Sequence, residues 1–326
     1  MRSEILNLLR EKSPQPVSGQ DLANHFGITR TAVWKHIQSL KKMGYGIEAY
    51  TKKGYVLVSV PNKLLPEEIS RHLHTRFIGR NMAYEDVIPS TNDLLKKMAL
   101  QGAPDGTVCV AEEQSVGKGR LARGWFSPYG KGLWFSLLLK PTFLPQEAPK
   151  MTLLAAVAVV RAVRELCGVK AEIKWPNDIV MNGKKVCGIL TEMSAQMDYV
   201  NHIVIGIGIN VHNESFPEEI APVATSLYME TGEHFNRAAL IEEVWEQFEH
   251  YYAIFMETED LSGLVKEYDA HLVNRDQIVK VLDPKEPFEG KAMGITPRGE
   301  LIVDTWESRR LVSAGEVSVR GVYGYV

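Results

Sequence analysis

The first sixty residues contain helix-start and helix-stop signals so closely spaced that only short helices fit between them. The segment Ser18-Gly19-Gln20-Asp21 resembles a capping box, with Asp in the position usually held by Glu. Gly27 is expected to end the helix that this segment opens, because glycine adopts positive φ at little cost. Thr29 can cap a further helix, which Gly44 closes. With an apolar stretch at residues 5–9, these signals predict three short helices.

A basic hairpin is expected to follow the three helices. Short β runs at 47–49 and 55–60 flank the turn Lys52-Lys53-Gly54. Three helices followed by a hairpin make a winged helix-turn-helix, in which the third helix enters the major groove of DNA. The pattern therefore predicts a DNA-binding domain over residues 1–60.

The two faces of the third helix differ in character. Val33, Ile37 and Leu40 recur at the spacings i, i+4 and i+7 and form an apolar stripe, and we expect Trp34 to pack in the same core rather than to stack on bases. Polar residues of the other face and the wing supply the predicted DNA contacts. These contacts are Arg30, Thr31, Lys35, His36, Lys52 and Lys53.

The charge of the chain is divided unevenly between this head and the rest. Residues 1–60 hold nine Lys or Arg and four Asp or Glu, a net charge of +5, so the remaining residues carry −8 of the total of −3. A basic head on an acidic body indicates that only the head meets a polyanion. A three-helix head can also be a dimerisation or protein-binding module, and that alternative stays open from charge alone.

Beyond the head, the pattern of residues changes twice. We expect residues 61–66 to be a linker, residues 67–272 to mix strands with helices, and residues 273–326 to form short strands between Pro and Gly turns. The sequence thus predicts an α+β, multi-domain protein with a winged helix-turn-helix head, a central mixed α/β domain and a small SH3-like β barrel. The predicted central strands are 107–112, 133–139, 185–193 and 199–209, the central helices are 94–100, 151–167 and 237–257, and the last β runs are 278–282, 288–295, 301–304 and 310–314.

Composition narrows the cellular setting. No apolar run approaches the roughly 20 residues of a membrane helix, and the longest candidate spans only Met151 to Val160. The first four residues include an acidic side chain and no apolar core follows, which argues against a signal peptide. The three cysteines lie far apart and offer no CxxC pair. We therefore expect a cytoplasmic protein without membrane partners.

The loop Gly117-Lys118-Gly119-Arg120-Leu121-Ala122-Arg123-Gly124 combines three glycines with three cations in eight residues. Glycines let backbone N–H groups approach an anion closely, and the cations neutralise it. The segment is not a Walker A loop, because Gly-x4-Gly-Lys-Ser/Thr is absent. It predicts an anion-binding turn, with a flexible surface turn as the alternative.

Four further clusters lie at predicted strand ends or helix starts. Lys174-Trp175-Pro176-Asn177-Asp178 offers hard oxygen ligands for Mg²⁺, although an ordinary Pro-Asn-Asp turn has the same composition. Lys185 lies at the mouth of an apolar strand, where a solvated edge lysine is the alternative. Gly206-Ile207-Gly208-Ile209-Asn210 ends a strand and lacks the third glycine of a dinucleotide fingerprint, so it indicates close approach by a ligand. Ser90-Thr91-Asn92 precedes a helix, as a plain N-cap also would.

In their order and spacing these clusters, with Gln114 and Trp125-Phe126-Ser127-Pro128, resemble the biotin–protein ligases. The winged head resembles the bifunctional members, which combine a biotin ligase with a biotin operon repressor. The resemblance implies a class II synthetase-like central domain that makes biotinyl-5′-AMP from biotin and ATP with Mg²⁺, without a tightly bound prosthetic group. It further implies biotin transfer to a lysine of a biotin carboxyl carrier protein, and operator binding by a homodimer that biotinyl-5′-AMP promotes.

The resemblance also implies the roles of particular residues. Lys185 and Arg120 match catalytic positions, and Asp178 and Asn210 match the metal side. The implied biotin contacts are Ser90, Thr91, Asn92, Gln114, Gly117, Lys118, Gly119, Arg120, Trp125, Lys185, Gly188, Gly206 and Gly208. The implied ATP contacts are Arg120, Arg123, Trp125, Lys174, Asn177, Asp178, Asn210 and Arg320. Trp134 is expected to add apolar wall.

The loop departs from the family pattern, which often reads Gly-Arg-Gly-Arg-Arg-Gly where this chain has Gly-Lys-Gly-Arg-Leu-Ala. Lys118 keeps the charge but loses the planar guanidinium fork. Three rival functions remain: a metabolite-sensing repressor without ligase activity, a ligase whose head regulates nothing, and a lipoate or octanoate ligase. The Lys174–Asp178 motif, Arg120 and Lys185 argue against the first rival, and the winged head with the same motif argues against the last.

Overall fold

The computed structural model describes residues 1–283, 286–314, 318–321 and 325–326, which divide into two compact units, Met1–Lys63 and Leu64–Val326. The predicted linker at 61–66 overlaps the second unit. Leu64 and Leu65 are buried, and the Leu64 N–H donates to Glu112 Oε1 over 2.5 Å. Residues 64–66 are therefore anchored in the second unit. No helix of the described residues is long and apolar enough to cross a membrane.

The first unit is the predicted winged helix-turn-helix. Its elements are α1 Arg2–Lys12, α2 Gly19–Phe26, α3 Arg30–Lys42, β1 Gly46–Tyr50 and β2 Gly54–Ser59. Both predicted caps form, since Ser18 Oγ accepts from the Asp21 N–H at 3.0 Å and Thr29 Oγ1 from the Ala32 N–H at 3.1 Å. Gly27 ends α2 with φ +64°. The apolar stripe of α3 is fully buried.

A seven-stranded mixed sheet forms the centre of the second unit. Its strands are β3 Met82–Ile88, β4 Val108–Gln114, β5 Gly132–Leu139, β6 Glu172–Lys174, β7 Asp178–Met181, β8 Lys184–Ala195 and β9 Val200–Asn210. Their spatial order is β3-β4-β5-β9-β8-β7-β6, and β3 with β4 is the parallel pair. The sequence analysis found β4, β5, β8 and β9 but not β3, β6 or β7. The predicted mixed α/β centre is thus confirmed.

Helices cover the two faces of this sheet unequally. The helices are α4 Pro66–Ile69, α5 Thr91–Leu100, α6 Lys150–Cys167, α7 Leu227–Thr231, α8 Arg237–Thr258 and α9 Val265–His271. Leu133, Phe135 and Leu137 of β5 share one core with α6 and α8, whereas Leu138 packs with Leu95 of α5. Successive strand residues point to opposite faces, so one face is covered by two long helices and the other by α5.

The C-terminal β runs form a five-stranded antiparallel sheet. Its strands are β10 Ile278–Leu282, β11 Phe288–Ile295, β12 Leu301–Asp304, β13 Arg309–Val312 and β14 Ser318–Gly321, in the order β13-β12-β11-β10-β14. Val279 and Leu301 belong to the same buried core as the central sheet. The Trp175 indole N–H also donates to the Gly299 carbonyl over 3.1 Å. These strands therefore pack as part of the second unit.

Carboxylates of α8 hold the segment 72–78 by its backbone. Glu246 Oε1 accepts from the His74 N–H at 2.8 Å, and Glu249 accepts from the N–H groups of residues 76, 77 and 78. Glu242 Oε1 accepts from the His72 N–H at 3.4 Å. Glu242 is buried, and this burial raises its pKa to about 7 although the His72 hydrogen bond opposes the rise.

Glu242→Gln is expected to stabilise the fold above pH 7. A carboxyl whose folded-state pKa is raised stabilises the fold below its ordinary pKa, and this contribution is lost as pH rises through 7. Glutamine cannot ionise, so the variant should gain on the order of 2–4 °C in Tm at pH 8 and nothing near pH 4. Calorimetric scans across this range test the shift. Glu246→Gln removes a neighbouring charge that also raises the pKa of Glu242, so it should give a smaller gain in Tm at pH 8 than Glu242→Gln.

Candidate functional site

Three glycines form the floor of a depression on the face of the sheet that α5 covers. Gly188 of β8 is the register partner of Gly208 of β9, and Gly206 pairs with Leu190. A Cβ at Gly208 would lie 2.2 Å from Trp125 Nε1. A Cβ at Gly206 would lie 2.3 Å from Asn92 Oδ1. The glycines are therefore required by neighbours that approach the backbone directly.

Polar side chains close one end of the floor. The Thr91 hydroxyl and N–H both donate to Gln114 Oε1, at 3.0 and 2.9 Å. The Ser136 hydroxyl lies 2.7 Å from Thr91 Oγ1 and 2.5 Å from Asn92 Oδ1. Ser90 caps α5 behind them through the Asp93 N–H. This network places hydroxyl and amide groups, both donors and acceptors, at one pole of the depression.

The glycine-rich loop folds back on itself over the floor. Lys118 and Gly124 form an antiparallel bridge, and the Trp125 N–H donates to the Gly117 carbonyl over 2.9 Å. A Cβ at Gly117 would lie 2.3 Å from the Trp125 carbonyl oxygen, so this glycine makes the closure of the loop possible. Leu121 at its tip has φ +55°, a conformation that side chains other than glycine adopt at a cost.

Three side chains of the loop segment make the contacts that matter most for the site. Lys118 Nζ pairs with Asp93 Oδ2 at 2.5 Å. Arg120 donates to Asn177 Oδ1 at 2.8 Å and to the Ala314 carbonyl at 3.1 Å. The Trp125 ring lies 5.1 Å from Lys185 Nζ, and among the described residues its buried indole N–H has no hydrogen-bond partner.

Trp134, expected as apolar wall, is completely buried beside Trp125 instead. The two rings pack edge to face with their centroids 6.5 Å apart. The Trp134 indole N–H donates to the Pro128 carbonyl. Trp134 thus supports the side chain that covers the floor.

The turn after β6 carries the buried charges of the site. Lys185 Nζ pairs with Asp178 Oδ1 at 2.5 Å, and the Tyr325 hydroxyl donates to Asp178 Oδ2. Burial opposes ionisation of Asp178, but Lys185 and Lys174 more than offset it and lower its pKa. Burial also lowers the pKa of Lys174 to about 8. One carboxylate therefore lies between two cations, of which Lys174 is buried and Lys185 is half-buried.

Two cavities meet above these residues. The inner cavity, of about 40 Å³, lies over the glycine floor, and the outer cavity, of about 230 Å³, lies between the loop and the Lys174–Asp178 turn. Each predicted biotin contact except Gly117 lines the inner cavity, and each predicted ATP contact lines the outer one. Five residues line both cavities: Gly119, Arg120, Trp125, Asn177 and Lys185.

Several residues of the site were not predicted from the sequence. Ser136 is a lone hydroxyl inside the apolar run of β5, and that interruption was a usable signal. The apolar wall of the outer cavity has no motif in the sequence. It consists of Phe216, Ile220, Val223 and Ala224. Tyr325, which follows β14, also lines this cavity and was not predicted.

In the first unit, a groove separates α3 from the β1–β2 wing. Arg30 and Thr31 line it from the helix, and Lys52 and Lys53 line it from the wing. Lys35 is exposed on the same helix, and His36 is half-buried. The expectation that Trp34 packs in the core was wrong, because its side chain is 52% exposed and lines this groove. Position 34 lies about 100° around the helix from the buried Val33, outside the stripe at 33, 37 and 40, so its side chain reaches the surface.

Comparison with family models accounts for all three parts of the chain. Residues 2–56 match the HTH domain, residues 84–210 the biotin/lipoate A/B protein ligase family, and residues 276–320 the biotin protein ligase C-terminal domain. The bifunctional ligase/repressor BirA of Bacillus spizizenii is 39% identical over 321 residues, which cover 98% of each chain. This chain belongs to the BirA family.

More distant members share the architecture. The bifunctional ligase/repressor BirA of Escherichia coli is 29% identical over 93% of this chain and 92% of its own length. A solved biotin protein ligase from Aquifex aeolicus, in complex with biotin and ATP, superposes with a TM-score of 0.66 at 29% identity. It covers 74% of this chain and 99% of its own. The BirA family thus spans both units described above.

In this member of the BirA family, Gly208→Ala is expected to expel Trp125 from the floor. The added methyl would overlap the indole at 2.2–2.6 Å, whereas at Gly188 the nearest atoms lie at 3.0–3.1 Å. Trypsin cleavage after Lys118, Arg120 and Arg123 should accelerate about tenfold in Gly208→Ala, since overpacking costs on the order of 1–3 kcal/mol. Gly188→Ala should change it far less. Equal cleavage in both variants would contradict the role given to position 208.

Proposed function

We propose that this chain is a biotin–protein ligase that also acts as a biotin-responsive repressor. The ligase would form biotinyl-5′-AMP from biotin and ATP and then transfer biotin to a lysine of a biotin carboxyl carrier protein. One observation carries the proposal: the inner cavity, with a polar pole, and the outer cavity, lined by cations, share Arg120, Asn177 and Lys185 at their junction. A reaction that joins a carboxylate to a phosphate needs such a junction.

The inner cavity suits biotin in kind but not in its present size. The Thr91, Gln114 and Ser136 groups can satisfy the N–H donors and the carbonyl of a ureido ring. Its volume of about 40 Å³ holds only one or two water molecules. Trp125 occupies the space above Gly208, so biotin binding requires this side chain to move.

At the junction, two anions have to be brought together. A biotin carboxylate oxygen attacks the α-phosphorus, a new O–P bond forms, and the bond to the bridging oxygen breaks so that pyrophosphate leaves. Lys185 and Arg120 line the junction where negative charge accumulates, and their positive charges stabilise it. In the second step the carrier lysine amine attacks the acyl carbon. The C–N bond forms, the C–O bond to phosphate breaks, and AMP leaves.

The residues present fit a magnesium ion on the phosphate side. Asp178 and Asn210 line the outer cavity, and among the described residues the buried Asn210 Oδ1 has no hydrogen-bond partner. The described residues contain no cluster of three or more His, Cys, Asp or Glu side chains for a metal. That fits Mg²⁺, which binds through one or two protein oxygens and the phosphates of its substrate. When bound, Mg²⁺ neutralises phosphate charge.

The groove of the first unit suits operator DNA. Cations from α3 and from the wing face one space, so the helix can enter the major groove while the wing contacts phosphates. We propose that biotinyl-5′-AMP promotes a homodimer, which places two such helices on a two-fold operator. The carrier protein and the dimer rest on the family assignment.

The direct test mixes the protein, biotin, MgATP and a carrier fragment and follows the carrier mass. One added biotinyl group per carrier is expected, and omission of ATP should abolish it. A carrier that stays unmodified under saturating substrates would refute the ligase assignment. A DNA mobility assay with and without biotin and MgATP separates a regulating head from a silent one.

Arg120→Gly should release biotinyl-5′-AMP before transfer. Arg120 ties the loop to Asn177 and to the Ala314 carbonyl, so its loss opens the lid over both cavities. Loss of hydrogen bonds from a charged group predicts at least about tenfold faster release. Labelling of a bystander protein, followed by mass spectrometry, measures the leak. Arg123→Gly, in the same loop, is the comparator and should leak less; carrier-restricted labelling by Arg120→Gly would contradict this lid.

Trp34→Ala should weaken binding to a duplex selected from a random pool. An exposed indole on the groove wall offers apolar contact to a thymine methyl or a sugar, so about tenfold is expected. Because no charge is lost, the dependence of log K on log salt should keep its slope. Lys53→Ala should instead reduce that slope by about one phosphate contact. Salt titrations of both variants distinguish the two kinds of contact.

A further inference from the structure

Tyr325 contacts two of the charged groups that line the outer cavity, Asp178 and Lys174. Its hydroxyl donates to Asp178 Oδ2. The Lys174 ammonium lies 3.8 Å from the centroid of its ring. Tyr325 itself is half-buried and lines the cavity, as does Arg320 of β14.

These two contacts resemble those that a metal–phosphate group would make. Lys174 is a cation that a phosphate oxygen would satisfy, and Asp178 is a carboxylate that a metal cation would satisfy. A phenol satisfies both at once, because the face of its ring attracts a cation and its O–H donates to a carboxylate. The ring therefore lies between the two groups that have to receive the phosphates and their cation.

With Tyr325 in place, both oxygens of Asp178 are engaged. Lys185 Nζ holds Oδ1 at 2.5 Å and Tyr325 holds Oδ2. A metal that binds Asp178 through Oδ2 competes with the Tyr325 hydroxyl for that oxygen, and a metal that binds through Oδ1 meets the Lys185 ammonium. Removal of Lys185 would leave the buried Asp178 carboxylate without its cation, whereas removal of Tyr325 withdraws a neutral group, so Tyr325 is the partner that leaves at lower cost.

A second observation shows that the position of Tyr325 depends on a tight backbone approach. A Cβ built on Gly321, the last residue of β14, would lie 1.9 Å from the Val326 carbonyl oxygen. Any larger residue at 321 would push away Val326, the residue that follows Tyr325. The seating of this tyrosine is thus coupled to the strand that carries Arg320.

We propose that Tyr325 stands in for MgATP in the ligand-free chain and sets the affinity for nucleotide by competing with it. The proposal rests on the ATP site of the proposed function. The metal–phosphate group displaces the phenol from Lys174 and Asp178, and the free energy of those two contacts is subtracted from that of nucleotide binding. Tyr325 is thereby an affinity-determining residue for the adenylation step.

The test measures binding of MgATP and of a non-hydrolysable analogue to the full chain by titration calorimetry. Tyr325→Ala should bind nucleotide about tenfold more tightly than the wild type, as expected from one lost hydrogen bond to a charged group. Tyr325→Phe keeps the ring but not the hydroxyl and should fall between the two. The Tm of ligand-free Tyr325→Ala should decrease, and its rise with saturating MgATP should exceed that of the wild type.

Two further variants make the result decisive. Tyr129→Phe removes another tyrosine–aspartate contact of the same unit, to Asp86, and should leave nucleotide affinity unchanged. Gly321→Ala leaves Tyr325 intact but displaces its segment, and should also tighten nucleotide binding. Unchanged or weaker binding in Tyr325→Ala would overturn the proposal, since a residue that helps to hold ATP has the opposite sign. A wild type that binds no ATP would instead refute the proposed function.

Discussion

The site depends on a patch of sheet from which side chains are missing. Gly188 and Gly208 face each other across β8 and β9, and Gly206 lies two residues before Gly208 on the same face. A sheet face normally carries a side chain at every second residue, which keeps any partner several ångströms from the backbone. Here an indole reaches the backbone itself, as the 2.2 Å distance from Trp125 Nε1 to a virtual Cβ at 208 shows. The loop, its tryptophan and the inner cavity all follow from this absence.

The second determinant is an imbalance of charge at the end of that floor. Lys174, Lys185 and Arg120 line the cavity around one carboxylate, Asp178, and Lys174 among these cations is buried. The cost of burying cations falls when an anion arrives, so the arrangement favours a polyphosphate and disfavours an empty site. The buried Asp178 carboxylate offsets the repulsion between these cations, which would otherwise open the site. The Tyr325 hydroxyl donates a hydrogen bond to the same carboxylate.

The elements predicted correctly are those defined by short-range signals, such as a helix cap or a long apolar run. The caps at Ser18 and Thr29 and the long apolar runs of β5 and β9 were correctly placed. Strands β6 and β7 have only three and four residues on either side of Trp175-Pro176-Asn177, too few to show a period. β3 was missed because charged residues Glu85 and Asp86 interrupt it at the sheet edge.

The residues of the candidate site also divide into those that a local sequence pattern indicates and those that it does not. Glycines and charged clusters were visible because their chemistry is unusual wherever it occurs. Phe216, Val223 and Tyr325 reach the outer cavity only through tertiary folding, and no local pattern sets them apart. Trp34 shows the opposite error, since a large aromatic side chain was assigned to the core on its type although its helical position faces outward.

The contacts and backbone conformation of the loop explain two of its departures from the family pattern. Lys118 meets the single carboxylate of Asp93, and one point charge needs no planar fork, so lysine serves there. Leu121 holds φ +55° with its side chain 54% exposed, so the loop tip carries backbone strain that no burial offsets. The strained tip and the buried indole N–H of Trp125, which has no hydrogen-bond partner among the described residues, both raise the free energy of the ligand-free loop. A ligand that displaces Trp125 frees this N–H for a new partner, which offsets part of the cost of enlarging the inner cavity.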